Sequence, residues 1–281
     1  HRRGCAWARV AVRADGHYAG AAMNDDPLLL ESRDDRGVVT LTLNRPGAFN
    51  ALSEDLIAAL HAAAGRLQGD AGLRAVVVAG AGKAFCAGHD LRQMRASPTQ
   101  AYYDALFARC GEMMLALHHL PVPVIARVHG IATAAGCQLV AMCDLAVAAS
   151  DARFATSGIN VGLFCATPSV PLSRNLSRKA AFEMLVTGDF IDAETARERG
   201  LVNRVVAPDQ LDAEVESLVA SIVAKPRLAL EMGKALFYRQ LETGLEDALE
   251  DAGRTMACNM ADGTAQEGVQ AFIEKRKPDW R

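Results

Sequence analysis

Four short apolar runs recur along the first half of this 281-residue chain, separated by glycine-bearing loops and stretches of helical spacing. The runs are Val38–Leu43, 75–79, Val124–Val128 and Leu145–Ala149. The first alternates as a strand does. The other three are apolar and too short for helices, so they read as buried strands. Residues Asn44, Arg45, Pro46 and Gly47 form a turn signal after the first. Ser53, Glu54 and Asp55 then mark a helix start, and apolar positions 56, 57, 60 and 67 keep helical spacing to about Gln68. Residues 99–119 read as a helix ended by Pro121 and Pro123, and Ala135–Met142 as another, entered through His129 and Gly130. Parallel strands need long crossover connections, and these helices supply them. The pattern confines the chain to an α/β fold of crossover units. From Ala180 onward the character changes. Residues 180–187, 192–199, 208–224, 227–241, 243–260 and 264–275 are predicted helical, interrupted by a strand at 202–206. This helical layer either covers the core or mediates assembly.

A chain of this length can bury a large core, as one domain or one domain with an appendage. A net charge of -3 gives no electrostatic case for nucleic acid or an anionic membrane as partner. No apolar run approaches the roughly 20 residues of a membrane span. The seven cysteines (Cys5, Cys86, Cys110, Cys137, Cys143, Cys165 and Cys258) are odd in number and scattered, without a C-x-x-C pair. That excludes a disulfide framework and points to a reducing compartment, the cytoplasm. Residues 1–22 carry Arg2, Arg3, Arg9 and Arg13 against one acid, Asp15, and precede Met23. They read as a disordered extension upstream of a natural start at Met23. The alternative is an Arg- and Ala-rich targeting peptide, which would direct the chain to the mitochondrial matrix.

The chemistry concentrates in two segments. In 131–140 the run Ala132, Thr133, Ala134, Ala135, Gly136 lets backbone approach a ligand closely, and a helix begins there, so its free N–H groups suit an oxyanion. Gln138 sits where a proton-handling carboxylate would be useful, and an amide cannot do that work at neutral pH. The second segment is 80–90. It is not a phosphate loop, because position 77 is Val77 and Lys83 is followed by Ala84. No G-x-G-x-x-G follows an early strand and no G-x-S-x-G elbow exists. His118 and His119 lack neighbours at metal-ligand spacing and read as solvated or capping residues, so no metal is expected.

Taken together, the motifs resemble the crotonase, or enoyl-CoA hydratase/isomerase, superfamily over about residues 34–281. The matching pieces are Asn44, Arg45 and Pro46 with Asn50, Ala51 and Leu52; 83–91; 123–126; Gly130 to Leu139; Cys143 and Asp144; Phe154 with Gly162; 185–188; Ala193 to Val202; and Glu267 and Gly268 through Phe272 to Lys277. The wording of 132–138, 161–165 and 275–280 is most similar to the branch called enoyl-CoA hydratase domain-containing protein 3. The resemblance implies a spiral core of ββα turns over 23–205 and a helical C-terminal trimerisation region over 206–281. Homotrimers or hexamers and an acyl-CoA thioester ligand follow, with coenzyme A as part of the substrate and no separate cofactor.

In this family two backbone N–H groups bind the thioester oxygen. Matching residue by residue puts them at His89, after Ala87 and Gly88, and at Ala135 beside Gly136. Two preoriented donors stabilise an enolate oxygen, each worth about 3 kcal/mol of barrier. The His89 imidazole is left open, a surface tip being the plainer reading. The loop at Lys83, Ala84 and Phe85 resembles the family's stretch around the CoA adenine and pantetheine, and Lys275, Arg276 and Lys277 either reach CoA phosphates or form a solvated helix end.

The two glutamates with which family hydratases hold and activate water align with Gln138 and Gly158. General acid and base groups contribute about 10²–10⁴-fold, so conventional hydration should be largely lost. Asp144 is expected to be structural. Asp90, beside one donor, and Cys165, just past the second missing glutamate, are candidate replacements. A catalytic thiolate at Cys165 would need a base. Thr156, Ser157 and Asn160 are candidates for a polar pocket wall.

Overall fold

The computed structural model describes residues 26–280. The extension inferred for 1–22 lies outside the described residues. The chain enters through an edge strand, β1 (Leu29–Arg33), and a second strand, β2 (Val38–Leu43), followed by α1 (Glu54–Gln68), β3 (Ala75–Gly80), α2 (Leu91–Ala96), α3 (Gln100–His118) and β4 (Val124–Val128). Next come β5 (Ile131–Thr133), α4 (Ala135–Met142), β6 (Leu145–Ala149), β7 (Arg153–Ala155), α5 (Ala166–Asn175) and α6 (Arg178–Thr187). The C-terminal part holds β8 (Ile191–Asp192), α7 (Ala193–Glu198), β9 (Arg204–Val206), α8 (Leu211–Val223), α9 (Arg227–Gln240), α10 (Leu245–Ala261) and α11 (Gly263–Ile273).

Six strands form one sheet in the order β1-β2-β3-β4-β6-β9, parallel throughout except for β1. A smaller sheet, β5-β7-β8, stands beside it. The near-continuous apolar character of β3, β4 and β6 has a simple cause: both faces of the large sheet are covered. Val39, Leu41, Val76, Val78, Val124 and Ala126 face α1 and α3. Their alternates Val38, Ala75, Val77, Ile125 and Val147 face Leu211, Val215, Leu218 and Val219 of α8. Ser53 caps α1, its hydroxyl accepting from Leu56 N–H, and Leu56, Leu60, Ala63, Ala64 and Leu67 bury one stripe of the helix. Each such leucine contributes about 2 kcal/mol of transfer free energy.

The C-terminal helices behave differently. No residue of α9, one of α10 (Ala248) and one of α11 (Ala271) are buried. Phe237, Leu245, Leu249, Met256, Phe272 and Ile273 stand exposed, Phe272 at 84%. The α9 helix is nevertheless fastened to the core through Asp144, which accepts from Val124 N–H at 2.6 Å, Lys234 Nζ at 2.7 Å and Tyr238 OH at 2.7 Å. This is the structural role expected of Asp144.

Several elements depart from the sequence expectation. The strand expected at 202–206 starts at Arg204, and the helix expected at 208–224 opens with a 3₁₀ turn at Pro208–Gln210. β1, α2, α5 and the three strands of the small sheet have no counterpart in the sequence pattern. His118 is not simply solvated, for its ring meets Tyr238 at 4.1 Å between centroids.

Candidate active site

The loops that follow the carboxyl ends of β3 and β4 meet, where ligand sites of open α/β sheets form. The first, 81–90, is clamped from below by Asn50. This buried side chain donates to Ala81 O at 2.8 Å and Ala84 O at 2.7 Å and accepts from Arg45 N–H at 2.8 Å. Further along, the loop pairs on two sides. Cys86 N–H donates to Ile131 O, and Thr133 N–H to Cys86 O. Leu52 N–H donates to Gly88 O, and Asp90 N–H to Leu52 O. In such a bridge the middle residue's own N–H faces away from its partner strand. His89 N–H therefore points away from Leu52, and no hydrogen bond within the described residues uses it.

The second donor comes from α4. Ala134 holds φ 52° and ψ -121°, a conformation that costs a non-glycine residue about 1–3 kcal/mol. It aims the first turn of α4, which has no side-chain cap. The Ala135 N–H is thus one of the unspent donors of a helix start, where the positive end of the helix dipole lies. Two glycines allow the loops to close on each other. A methyl on Gly88 (φ +93°) would stand 2.9 Å from Ala134 Cβ and 3.3 Å from Ala135 N, and one on Gly136 would stand 2.1 Å from Cys86 O. The His89 and Ala135 N–H groups lie on the two sides of this contact as a candidate anion-binding pair.

Gln138 is one turn along α4 from Ala134, whose carbonyl accepts its N–H. It is 5% exposed, and its Oε1 is buried without a partner. His89 is not a surface tip. Its ring meets Phe107 edge-on at 5.3 Å, its Nε2 is buried and unpartnered, and burial pushes the imidazole down to about 4. At neutral pH it is uncharged.

The space around Gly158, where the resemblance puts the second family glutamate, is occupied. A Cβ on Gly158 would meet Leu163 O at 2.6 Å and Cys165 Sγ at 2.8 Å. The Gly158 N–H donates to the Cys165 sulfur, which only partly offsets the burial that pushes this thiol up. Neighbouring Cys137 is pushed up by burial to about 12. A resting thiolate at Cys165 is therefore disfavoured.

The other expected site residues have the following surroundings. Phe85 and Ala84 are 0% and 1% exposed, so their side chains belong to the core and only their backbone can meet a ligand. The Asp90 carboxylate is occupied by Arg45 at 3.0 Å and by Arg92 and Gln93 N–H at the start of α2. Burial opposes its ionisation, but these donors prevail and hold it below the usual carboxylate range. Asn160 Nδ2 reaches Gly188 O, and Thr156 OH donates to Met184 O, so neither is a free pocket wall. Ser157 bonds Thr133 at 2.7 Å, a pairing that no local motif signals. Ala87 is half-buried beside Gly88 and Lys83 is exposed at the loop's rim. Arg276 in the basic tail is engaged by Glu267 and Glu274. A separate cleft of about 510 Å³ opens beside α8 on the far face of the large sheet, where Arg127 and Arg36 are paired with Asp212 and Glu216. Its lining includes none of His89, Ala135, Gln138 or Gly158. Among the described residues no three or more His, Cys, Asp or Glu side chains gather as metal ligands.

Known proteins resemble the chain over most of its length. A model of the enoyl-CoA hydratase/isomerase family matches residues 33–281. The chain is 40% identical over 276 residues to the Mus musculus protein named "enoyl-CoA hydratase domain-containing protein 3, mitochondrial", spanning 98% of this chain and 92% of that one. The crystal structure of human enoyl-CoA hydratase domain-containing protein 3 superposes with a TM-score of 0.87 at 38% identity, over 90% of this chain and 100% of that one. A crystal structure titled as an enoyl-CoA hydratase of Mycobacterium smegmatis gives a TM-score of 0.90 at 70% identity, over 91% and 99%. With its crotonase fold, the chain belongs to the enoyl-CoA hydratase/isomerase family, in the branch of enoyl-CoA hydratase domain-containing protein 3.

Proposed function

We propose that the protein acts on acyl-CoA thioesters, receiving the thioester oxygen on the N–H groups of His89 and Ala135 and stabilising the charge that an enolate places there. The observation that carries this reading is the meeting of two unspent N–H groups across Gly88, one of them at the start of a buried helix. Gln138 then orients water or substrate without exchanging a proton. Lys83 at the rim and the exposed Lys275 and Lys277 are the cations available to CoA phosphates.

Neither glutamate position carries a carboxylate, so trans-2-enoyl-CoA hydration is expected to be weak. Turnover of a panel of trans-2-enoyl-CoAs by the purified protein tests the enzyme reading. Hydration at background, with CoA thioesters still bound, would move the protein to a second reading: an acyl-CoA-binding member of the family that regulates or buffers lipid intermediates. The occupied space at Gly158 favours that second reading. Thioester hydrolysis or decarboxylation needs only the donor pair and a positioned group, and release of free CoA distinguishes hydrolysis.

The exposed apolar residues of α9–α11 support assembly as a homotrimer or hexamer, which sedimentation would reveal. The vertebrate relatives' names place them in mitochondria, which fits a matrix location, whereas the Mycobacterium relative belongs to a bacterium, where the corresponding compartment is the cytoplasm.

A further inference from the structure

The cleft on the far face of the large sheet gathers polar groups that the fold itself does not use. Strands β2, β3, β4 and β6 hold one charged residue, Arg127, and two hydroxyl residues, Thr40 and Thr42. All three line this one cleft of about 510 Å³, a volume typical of small-molecule sites. Within the described residues the hydroxyls of Thr40 and Thr42 make no hydrogen bond, and neither do the two terminal nitrogens of Arg127. Its Nε alone is engaged, donating to the Asp212 carboxylate. Asp212 is 81% exposed against 24% for Arg127. An ion pair with so exposed a partner is worth about 0–1 kcal/mol, too little to account for a guanidinium set in an apolar sheet.

The register places these groups. Thr42 pairs with Ala79, and the pairing of Val78 with Ala126 puts Ala79 level with Arg127 on β4. Neighbouring strands lie about 4.8 Å apart, so Thr42 and Arg127 are rooted about 10 Å apart with only the Ala79 methyl between them. An oxyanion above Ala79 falls within reach of both side chains. Towards the start of the strands the lining turns apolar, with Val38 and Val77 on the sheet and Val215 and Val219 on α8. From Thr42 to Val38 this trough runs about 13 Å.

We propose that this cleft binds a free medium-chain carboxylic acid in its ionised form. Arg127 and Thr42 take the carboxylate, and the alkyl chain lies along Val77 towards Val38 and Val219. The inference is independent of the acyl-CoA reading, because neither His89 nor Ala135 lines the cleft. The unspent groups at the head are donors, so the ligand must accept there, and a planar guanidinium matches a carboxylate in shape and charge. The lining holds three arginines, Arg33, Arg36 and Arg127, against Asp34, Asp212 and Glu216. Arg36 is held by Asp34 and Glu216, and Arg33 by Asp70. Only Arg127 is left to a ligand, once the exposed Asp212 turns to solvent. One guanidinium suits one negative charge, and the apolar trough demands a hydrocarbon tail behind it.

Calorimetric titration of the intact protein with octanoate, 1-octanol and inorganic phosphate tests this. Octanoate is expected to bind at least about 10-fold more tightly than octanol, which lacks the charge, and than phosphate, which lacks the chain. Arg127→Met is expected to weaken octanoate at least about 10-fold, and Thr42→Val about 3-fold. Asp212→Asn is expected to tighten it about 3-fold, because a competing carboxylate is gone. That gain is read in a chain that keeps Arg127, so the test stands even if Arg127→Met does not fold. A merely structural ion pair predicts no such gain. Failure of the unsubstituted protein to bind octanoate would overturn the proposal. So would octanol or phosphate binding as tightly as octanoate, an affinity unchanged in folded Arg127→Met, or weaker or equal binding in Asp212→Asn.

Discussion

Burial of the His89 imidazole predicts a specific loss of stability on mild acidification. The ring is pushed from its ordinary 6.5 to about 4 in the folded chain, and its cause is desolvation alone, with no anion beside it. The unfolded chain binds a proton on this ring near 6.5, while the folded chain resists it until about 4. Stability from the neutral ring is therefore complete above 6.5 and is lost as pH falls towards 4. A gap of this size corresponds to about 3 kcal/mol, of which about 2 kcal/mol disappears between roughly pH 7 and pH 5. Other groups titrate in the same range, so the test is a double difference. Urea unfolding of the ligand-free protein and of His89→Gln, at matched concentration and at both pH values, isolates the imidazole. The variant is expected to lose about 2 kcal/mol less than the parent on acidification. Equal losses in the two proteins would refute the reasoning, because they would mean that the ring charges in the folded state without resistance.

Three further perturbations separate the parts of the site from the parts of the fold. Gly136→Ala places a methyl 2.1 Å from Cys86 O and must push the first turn of α4 off the loop. It is expected to weaken acyl-CoA binding at least about 10-fold and to cost about 1–3 kcal/mol in a melt. Gln138→Glu alone is expected to leave trans-2-enoyl-CoA hydration far below family rates. Adding Gly158→Glu should destabilise the chain instead of rescuing it, because the new side chain starts 2.6 Å from Leu163 O; hydration assays and melting of both variants check this. Asp144→Ala strands the Lys234 ammonium, which is 10% exposed, and is expected to cost about 3–5 kcal/mol, with Lys234→Met added in the same chain recovering much of it.

The elements legible in the sequence are those whose pattern has a local cause. β2, β4, β6 and α4 match the expected bounds because apolar runs or helical spacing end at turn residues, and α1 because Ser53 caps it. What escaped is held by distant partners. β5 and β7 are three residues each and β8 is two, too short to show a period, and they exist through pairing with one another. β1 has four exposed positions out of five and is a strand only because β2 pairs with it. Helix α5 carries Pro168 and Pro171, which argue against a helix locally. Pro168 falls in the first turn, where no N–H bond is lost, and Pro171 is tolerated with its ring buried.

The same division runs through the site. Alignment to a known family can nominate His89 and Ala135, but whether their N–H groups are free depends on which side of 86–90 pairs with Leu52 and which with β5. That pairing joins three distant segments and leaves no mark in any one of them. The side chains carry a second lesson. The resemblance implies that two carboxylates are missing, at 138 and 158; it does not say whether their places are empty. At 138 an amide remains, buried and with an unmet acceptor, so the site keeps a polar demand there. At 158 the space is taken by the Leu163 carbonyl and the Cys165 sulfur, so a restored side chain has nowhere to go. One position has changed its chemistry and the other its packing. On the proposed reading, restoring glutamates at 138 and 158 is therefore not expected to give a hydratase unless the turn at 158–165 is rebuilt first.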